Sequence, residues 1–250
     1  MRACRYRHGG RERWGLVEGD QVRPLGAAPW QGGLADGPPV PMAGVTLLAP
    51  VAPSKIVCVG RNYRAHAREL GNEVPAEPLI FLKPPSAVVG PDEPIRCPED
   101  SSEVHHEGEI GVVVGRTLSR ATPAEARLAV FGCTCVNDVT ARDIQRAEKQ
   151  FTRAKGFDTF CPVGPVVETA LDLFDLTVTC RVNGAERQRG HVREMAFDPY
   201  FLLSWISRVM TLLPGDLVAT GTPEGVGVLR PGDRVEVEVA GVGVLRNPVV

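Results

Sequence analysis

Residues 105–114, His-His-Glu-Gly-Glu-Ile-Gly-Val-Val-Val, set two carboxylates at the mouth of one of the most apolar runs in the chain, and this pairing narrows the possible folds sharply. The run 112–114 reads as a buried strand. Side chains two residues apart on a strand share a face, so Glu107 and Glu109 point the same way, with α-carbons roughly 7 Å apart. Two ionised carboxylates converging on a dry interior repel each other, so one keeps a proton or a cation lies between them. A divalent metal is the economical answer; the plain alternative is a strand end whose glutamates face water. Asp138 follows the apolar-leaning run 131–136 and offers a third carboxylate at a strand end. Three oxygen donors, with no cysteine and no obligatory histidine, suit Mg²⁺ or Mn²⁺ better than Zn²⁺ and leave positions open for a substrate.

A chain of 250 residues buries a full core, as one large domain with at most a small appendage. Its 28 basic and 30 acidic residues lack the positive excess that nucleic-acid backbones demand, so nucleic acid is not an expected partner. The seven cysteines include no Cys-x-x-Cys pair and fall largely in apolar runs, which predicts buried reduced thiols. The N-terminus is charged where a secretion signal needs an apolar core. The most apolar helical stretch, 200–213, contains Arg208 and is too short to span a bilayer. These features predict a cytoplasmic protein with no membrane partner.

Residues 2–25 predict a small β unit, and 26–44, rich in Gly, Pro and Ala, a linker or packed arm, with a boundary near Val45. A strand at 55–59 precedes Asn62, the expected N-cap of a short helix running to Leu70 and stopped by Gly71. His66 and Glu69, three apart, share a face of that helix. Such a pair either acts as an oriented base, the carboxylate fixing the imidazole tautomer, or is an ordinary exposed charge pair. Further strands are expected at 79–83, 131–137, 163–167, 217–220 and 234–239. Thr122-Pro-Ala-Glu125 has the form of a capping box. Residues 146–154 read as a polar connection, and Asn183-Gly184 marks a hairpin turn. Asp198 caps an amphipathic helix to about Leu212. The glycine-rich loop 221–227 lacks the lysine of a phosphate-binding loop, yet its N–H groups and a hydroxyl suit a small carboxylate. The expected fold is a β-rich mixed α+β architecture with helices packed outside.

In this order the segments Ile-Val-Cys-Val-Gly-Arg-Asn-Tyr (56–63), Phe-Leu-Lys-Pro (81–84), His-His-Glu-Gly-Glu-Ile (105–110), Asn-Asp-Val-Thr-Ala-Arg-Asp (137–143), Ala-Lys-Gly-Phe (154–157) and Thr-Gly-Thr-Pro-Glu-Gly-Val-Gly (220–227) resemble the fumarylacetoacetate hydrolase family, in particular its short acylpyruvase, oxaloacetate decarboxylase and homoprotocatechuate-pathway isomerase members. The resemblance spans residues 45–248. It implies a mixed β-roll core over 46–250 behind a variable N-terminal unit over 1–45, and a homodimer or higher homo-oligomer. It further implies Mg²⁺ or Mn²⁺ on Glu107, Glu109 and Asp138, with Ca²⁺ able to replace it in a crystal. Arg142, Gln145, Lys155 and Thr222 match the family's substrate-holding positions, and His66 and Glu69 fall on a helix that orders as a lid. Gly108 is small where the family tolerates bulkier residues.

The implied chemistry begins with a 2-oxo acid chelating the metal and an enolate forming at its 2-oxo end. In the hydrolytic version Glu69 orients His66 to deprotonate water, which attacks the carbonyl two carbons further along, while Lys155 stabilises charge or helps the final protonation. Cleavage of an acylpyruvate or fumarylpyruvate is the leading expectation. Isomerisation of a 2-hydroxyhepta-2,4-diene-1,7-dioate and decarboxylation of oxaloacetate are alternatives at the same site. A binding protein that holds a metal only for stability is the non-catalytic alternative, and it has no need of His66, Glu69 or Lys155.

Overall fold

β-Forming runs dominate the sequence, and the computed structural model, which describes residues 1–250, gathers them into three sheets. The largest has twelve strands and is built around Gly108–Val114, all of whose residues are buried. A strand covered on both faces must be apolar or small throughout, and Ile-Gly-Val-Val-Val meets that demand. Ile110, Val112 and Val114 belong to one large core cluster, which also takes in Leu202, Leu203 and Ile206 of helix Pro199–Val209 and Val178 and Val237 of a second sheet. Val113 points the other way, into a smaller cluster with Cys58, Val163 and Ala219.

The central strand pairs antiparallel with Val130–Asn137 and with Leu217–Ala219. Leu217–Ala219 runs parallel to Ile56–Gly60, which in turn pairs antiparallel with Leu79–Lys83. In the other direction the sheet continues through Cys161–Glu168 into Arg2–His8, Arg11–Glu18 and Gln21–Leu25. The N-terminal β unit therefore extends the main sheet, with Arg2 opposite Glu168 and Ala3 opposite Val167. A four-stranded antiparallel sheet joins Ala185–His191, Thr177–Val182, Arg234–Val239 and Gly243–Pro248. Its first hairpin turns at Asn183 (φ 52°) and Gly184 (φ 78°), the two positive values that a type I′ turn requires. A small third sheet links Thr140–Ala141, Val104–His106 and Gly227–Val228.

The helices pack outside this β-rich core, as expected. Thr122 and Glu125 close a reciprocal capping box on Pro123–Ala129. Asp198 accepts from the amides of Tyr200 and Phe201 and opens Pro199–Val209. That helix ends short of Leu212 because Met210 turns extended and Leu212 bridges to Leu118. Two local expectations are corrected. Residues 146–154 are not merely a connection: Arg142–Ala147 and Thr152–Lys155 are helical, with Phe151 edge-on against Phe81 at 5.5 Å between them. Asn62 does not cap the short helix Arg64–Glu69, whose N-cap is Tyr63. Its amide instead donates to the carbonyls of Thr220 (2.8 Å) and Phe197 (3.1 Å), tying the helix entrance to the end of strand Leu217–Ala219.

Candidate active site

Glu107 lies at the joint where the chain leaves the small third sheet, after His106, and enters the central strand at Gly108. Gly108 is in register with Asn137, so Asp138 arrives beside Glu107. The Asp138 amide donates to the Glu107 carbonyl at 2.8 Å, and Asn137 Oδ1 accepts from the Glu107 amide at 2.9 Å. Carboxylate oxygens of Glu107, Glu109 and Asp138 consequently lie within 4.8 Å of one another, and all three residues are buried. A Cβ on Gly108 would stand 2.9 Å from the Cys180 Cβ, so the hairpin packed behind the site leaves room only for glycine.

Burying three carboxylates together is costly unless charge is supplied. Lys155 Nζ donates to Glu107 Oε2 (2.8 Å) and Asp138 Oδ2 (2.6 Å), and it stands 4.9 Å over the Phe81 ring. Lys83 Nζ donates to Asp138 Oδ1 (2.7 Å) and to the Val139 carbonyl (3.0 Å). The Arg142 guanidinium bonds both Glu107 and Gln145. Burial alone would raise the Glu107 carboxyl, but Lys155 and Arg142 outweigh it and hold this group below the ordinary range. Burial likewise works against the charged form of Lys155, yet Asp138 and Glu107 raise it further above neutrality.

Glu109 differs from its neighbours. Its Oε2 accepts from the Gly221 amide at 2.8 Å, and no cationic side chain pairs with it. Burial, then Asp138 and Glu107, push its carboxyl well above the ordinary range. The cluster is thus an all-oxygen, buried donor set short of positive charge at one member. Those properties fit a hard divalent cation.

A cavity of about 370 Å³ opens onto the cluster. It brings together Glu107, Glu109, Asp138, Arg142, Gln145, Lys155, Thr222 and His66. Glu69 stands behind His66: its Oε2 is 3.0 Å from His66 Nδ1, while its Oε1 accepts from the Gly225 amide at 2.9 Å. The pair is therefore more than an exposed surface contact, since His66 is buried and the carboxylate also latches the helix to the glycine-rich loop. The Thr222 hydroxyl donates to the Gly108 carbonyl (2.9 Å) and accepts from Gln188 (2.7 Å). It is already engaged on both sides. Arg142 lines the cavity, and its buried Nε has no partner in the chain.

Two contributors carry no role in the sequence reading. Lys83 is fully buried; its signal is a lysine ending the otherwise apolar strand Leu79–Lys83. Arg61 lines the cavity at φ 58°, a left-handed backbone that costs a non-glycine residue about 1 kcal/mol and is found disproportionately at functional sites. No local pattern marks it.

A β-rich fold that encloses a buried carboxylate cluster, a His–Glu pair and an array of buried cations offers a site suited to a hard cation and to a carboxylate ligand. The family profile described as fumarylacetoacetate (FAA) hydrolase C-terminal matches residues 55–250, and one described as Rv2993c-like, N-terminal matches residues 1–50. The chain belongs to the fumarylacetoacetate hydrolase family, whose members are enzymes. It is 50% identical over 213 residues to Protein Rv2993c of Mycobacterium tuberculosis, covering 84% of this chain and 80% of that one. It is 44% identical over 226 residues to the mitochondrial oxaloacetate tautomerase FAHD2A of Bos taurus, covering 85% and 72%. The solved 5-carboxymethyl-2-hydroxymuconate delta-isomerase from Mycobacterium smegmatis superposes with a TM-score of 0.94 at 44% identity, covering 100% of this chain and 99% of that one. No helix of the chain is long and apolar enough to cross a membrane.

Proposed function

We propose that this chain is a divalent-metal-dependent enzyme that moves a proton on an enolisable 2-oxo carboxylic acid, interconverting its enol and oxo forms. The observation that carries the reading is the His66–Glu69 hydrogen bond at 3.0 Å, set over a cavity whose floor is the three-carboxylate cluster. With Nδ1 turned to Glu69, the His66 ring has Nε2 left to accept a proton from the carbon beside the 2-oxo group. The reverse step returns that proton to the same carbon, or to one further along a conjugated chain. A divalent cation held by Glu107, Glu109 and Asp138 would supply Lewis-acid stabilisation of negative charge on the substrate. Arg142, whose Nε has no partner in the chain, would hold the carboxylate.

Charge balance favours a dicarboxylic substrate. Within the buried cluster Lys83, Arg142 and Lys155 equal the three carboxylates in number, although none of them pairs with Glu109, so a divalent ion there leaves the cluster with a surplus of two positive charges. A dianion cancels that surplus. The similarity to an oxaloacetate tautomerase and to a hydroxymuconate isomerase, named above, agrees with this choice of substrate class.

Hydrolytic carbon–carbon cleavage is the second reading, and the same dyad favours it: an oriented imidazole that deprotonates a carbon acid also deprotonates a water. One experiment separates the two. Purified protein with Mg²⁺ is given enol-oxaloacetate and, separately, acetylpyruvate, and products are followed by NMR. Faster ketonisation of the first with the second left intact supports proton transfer; pyruvate and acetate from the second establish hydrolysis; neither change refutes both.

A further inference from the structure

Gln188 has no part in the proposed proton transfer, yet it is 1% exposed and uses its whole hydrogen-bonding capacity against the site. Its Nε2 donates to Thr222 Oγ1 and to the Pro223 carbonyl, both at 2.7 Å. Its Oε1 accepts from the Gly108 amide at 3.0 Å and faces His106 Nδ1 at 2.9 Å. Because an amide oxygen has no proton to give, His106 must donate from Nδ1. Thr222 Oγ1 then donates to the Gly108 carbonyl at 2.9 Å, closing a ring of hydrogen bonds through Gly108, Gln188 and Thr222.

The members of that ring are neighbours of the carboxylates. Gly108 separates Glu107 from Glu109, and Thr222 follows Gly221, whose amide holds Glu109 Oε2. The ring therefore fixes the distance between the segment that carries two carboxylates and the loop that aims one of them. The hairpin is shaped to deliver Gln188 there: Cys180 is in register with Gln188 but Arg181 with Glu186, so a bulge at Arg187 turns Gln188 inward from a run of exposed residues.

We propose that Gln188 is a positioning residue that sets the spacing of the carboxylate cluster, and through it the affinity for the divalent cation and for a 2-oxo acid. The inference rests on the metal reading above. Glutamate is the informative replacement, since it keeps the size and the acceptor but loses both donors. The Thr222 hydroxyl must then turn from Gly108 toward the new carboxylate, and the Pro223 carbonyl faces an oxygen.

The test measures Mn²⁺ binding by electron paramagnetic resonance, and oxalate binding to the Mn²⁺-loaded protein by calorimetry, for wild type, Gln188→Glu and Gln188→Met. Far-UV circular dichroism establishes that each variant is folded. The expected result is oxalate affinity at least tenfold weaker in both variants and Mn²⁺ affinity at least fivefold weaker in Gln188→Met. A purely structural role would lower the unfolding midpoint and leave both affinities within twofold of wild type, which overturns the proposal. Should Gln188→Met fail to fold, oxalate binding by Gln188→Glu decides alone. Absence of Mn²⁺ binding in the wild type would refute the metal reading itself, and this inference with it; binding by wild type and variants alike refutes only the role of Gln188.

Discussion

Replacing Glu69 by glutamine changes one atom and removes one acceptor. In the native chain both carboxylate oxygens accept: Oε2 faces His66 Nδ1 at 3.0 Å and Oε1 takes the Gly225 amide at 2.9 Å. A glutamine side chain has one oxygen for two donors. If the oxygen stays on Gly225, the NH₂ group faces His66, Nδ1 must become an acceptor, and the imidazole proton moves to Nε2, where it blocks the base. If the oxygen turns to His66, two N–H groups collide at Gly225 and the latch on helix Arg64–Glu69 opens. Either outcome removes an oriented general base, a loss of about 10²–10⁴ in kcat, which corresponds to roughly 3–5 kcal/mol of transition-state stabilisation. The fold should hardly notice, because Glu69 is partly exposed and one hydrogen bond of this kind contributes about 1 kcal/mol. Steady-state kinetics of 2-oxo acid turnover, with ring-nitrogen NMR of His66 to read the tautomer, checks the prediction. A Glu69→Gln variant within threefold of wild-type kcat, with the tautomer unchanged, would show that the dyad is not the base.

The remaining predictions concern charge and burial. Glu109→Gln should abolish metal-dependent activity while the unfolding midpoint stays near that of the wild type without metal, since Glu109 lacks a cationic partner to strand; full activity in that variant would remove the cluster from the chemistry. Lys83→Met leaves Asp138 with one fewer buried cation and should cost about 3–5 kcal/mol in denaturant unfolding without metal; a loss under 1 kcal/mol would mean that Lys83 is dispensable to the cluster. Asp216 accepts from Ser54, Lys55 and Leu213 at the joint between parallel strands. Burial raises its carboxyl, but Lys55, Ser54 and the Leu213 amide prevail and lower it below 3.8. The stabilisation it supplies is therefore fully present above the unfolded value and lost as pH falls through the folded one. Asp216→Asn should be about 3 kcal/mol less stable at pH 7, with the gap closing below about pH 4; a gap independent of pH would refute the assignment. Native alkylation with iodoacetamide should label Cys97 alone, because the other cysteines are buried and burial raises the Cys4, Cys133, Cys135, Cys161 and Cys180 thiols to about 12; rapid labelling of any of these would contradict their burial.

Much of the site was legible because its carboxylates sit where apolar runs end. Glu107 and Glu109 could be paired from spacing alone, and Asp138 from its place after a strand, although the register that joins them, Gly108 to Asn137, lies outside any local pattern. Strand alternation does not by itself place Glu107, which lies between two strands rather than inside one; the passage from one sheet to the next brings it beside Asp138. His66 and Glu69 were legible as helical neighbours, but the Gly225 latch, 156 residues away, was not. A capping residue and a tertiary tie look alike in sequence, and at Asn62 the hydrogen bonds to the Thr220 and Phe197 carbonyls decide for the tie. Gln188 lay in a run of polar residues that reads as solvent-exposed, and only the bulge at Arg187 turns it inward. The sequence shows Gly108 as small, and the reason is the Cys180 side chain behind it.

The most direct measurement is the decay of enol-oxaloacetate followed by stopped-flow absorbance, with Mg²⁺-loaded protein, chelator-treated protein and Glu109→Gln in parallel. Acceleration by the loaded wild type alone is predicted. An identical rate in all three, with acetylpyruvate also unchanged, would contradict proton transfer at a metal-organised carboxylate site.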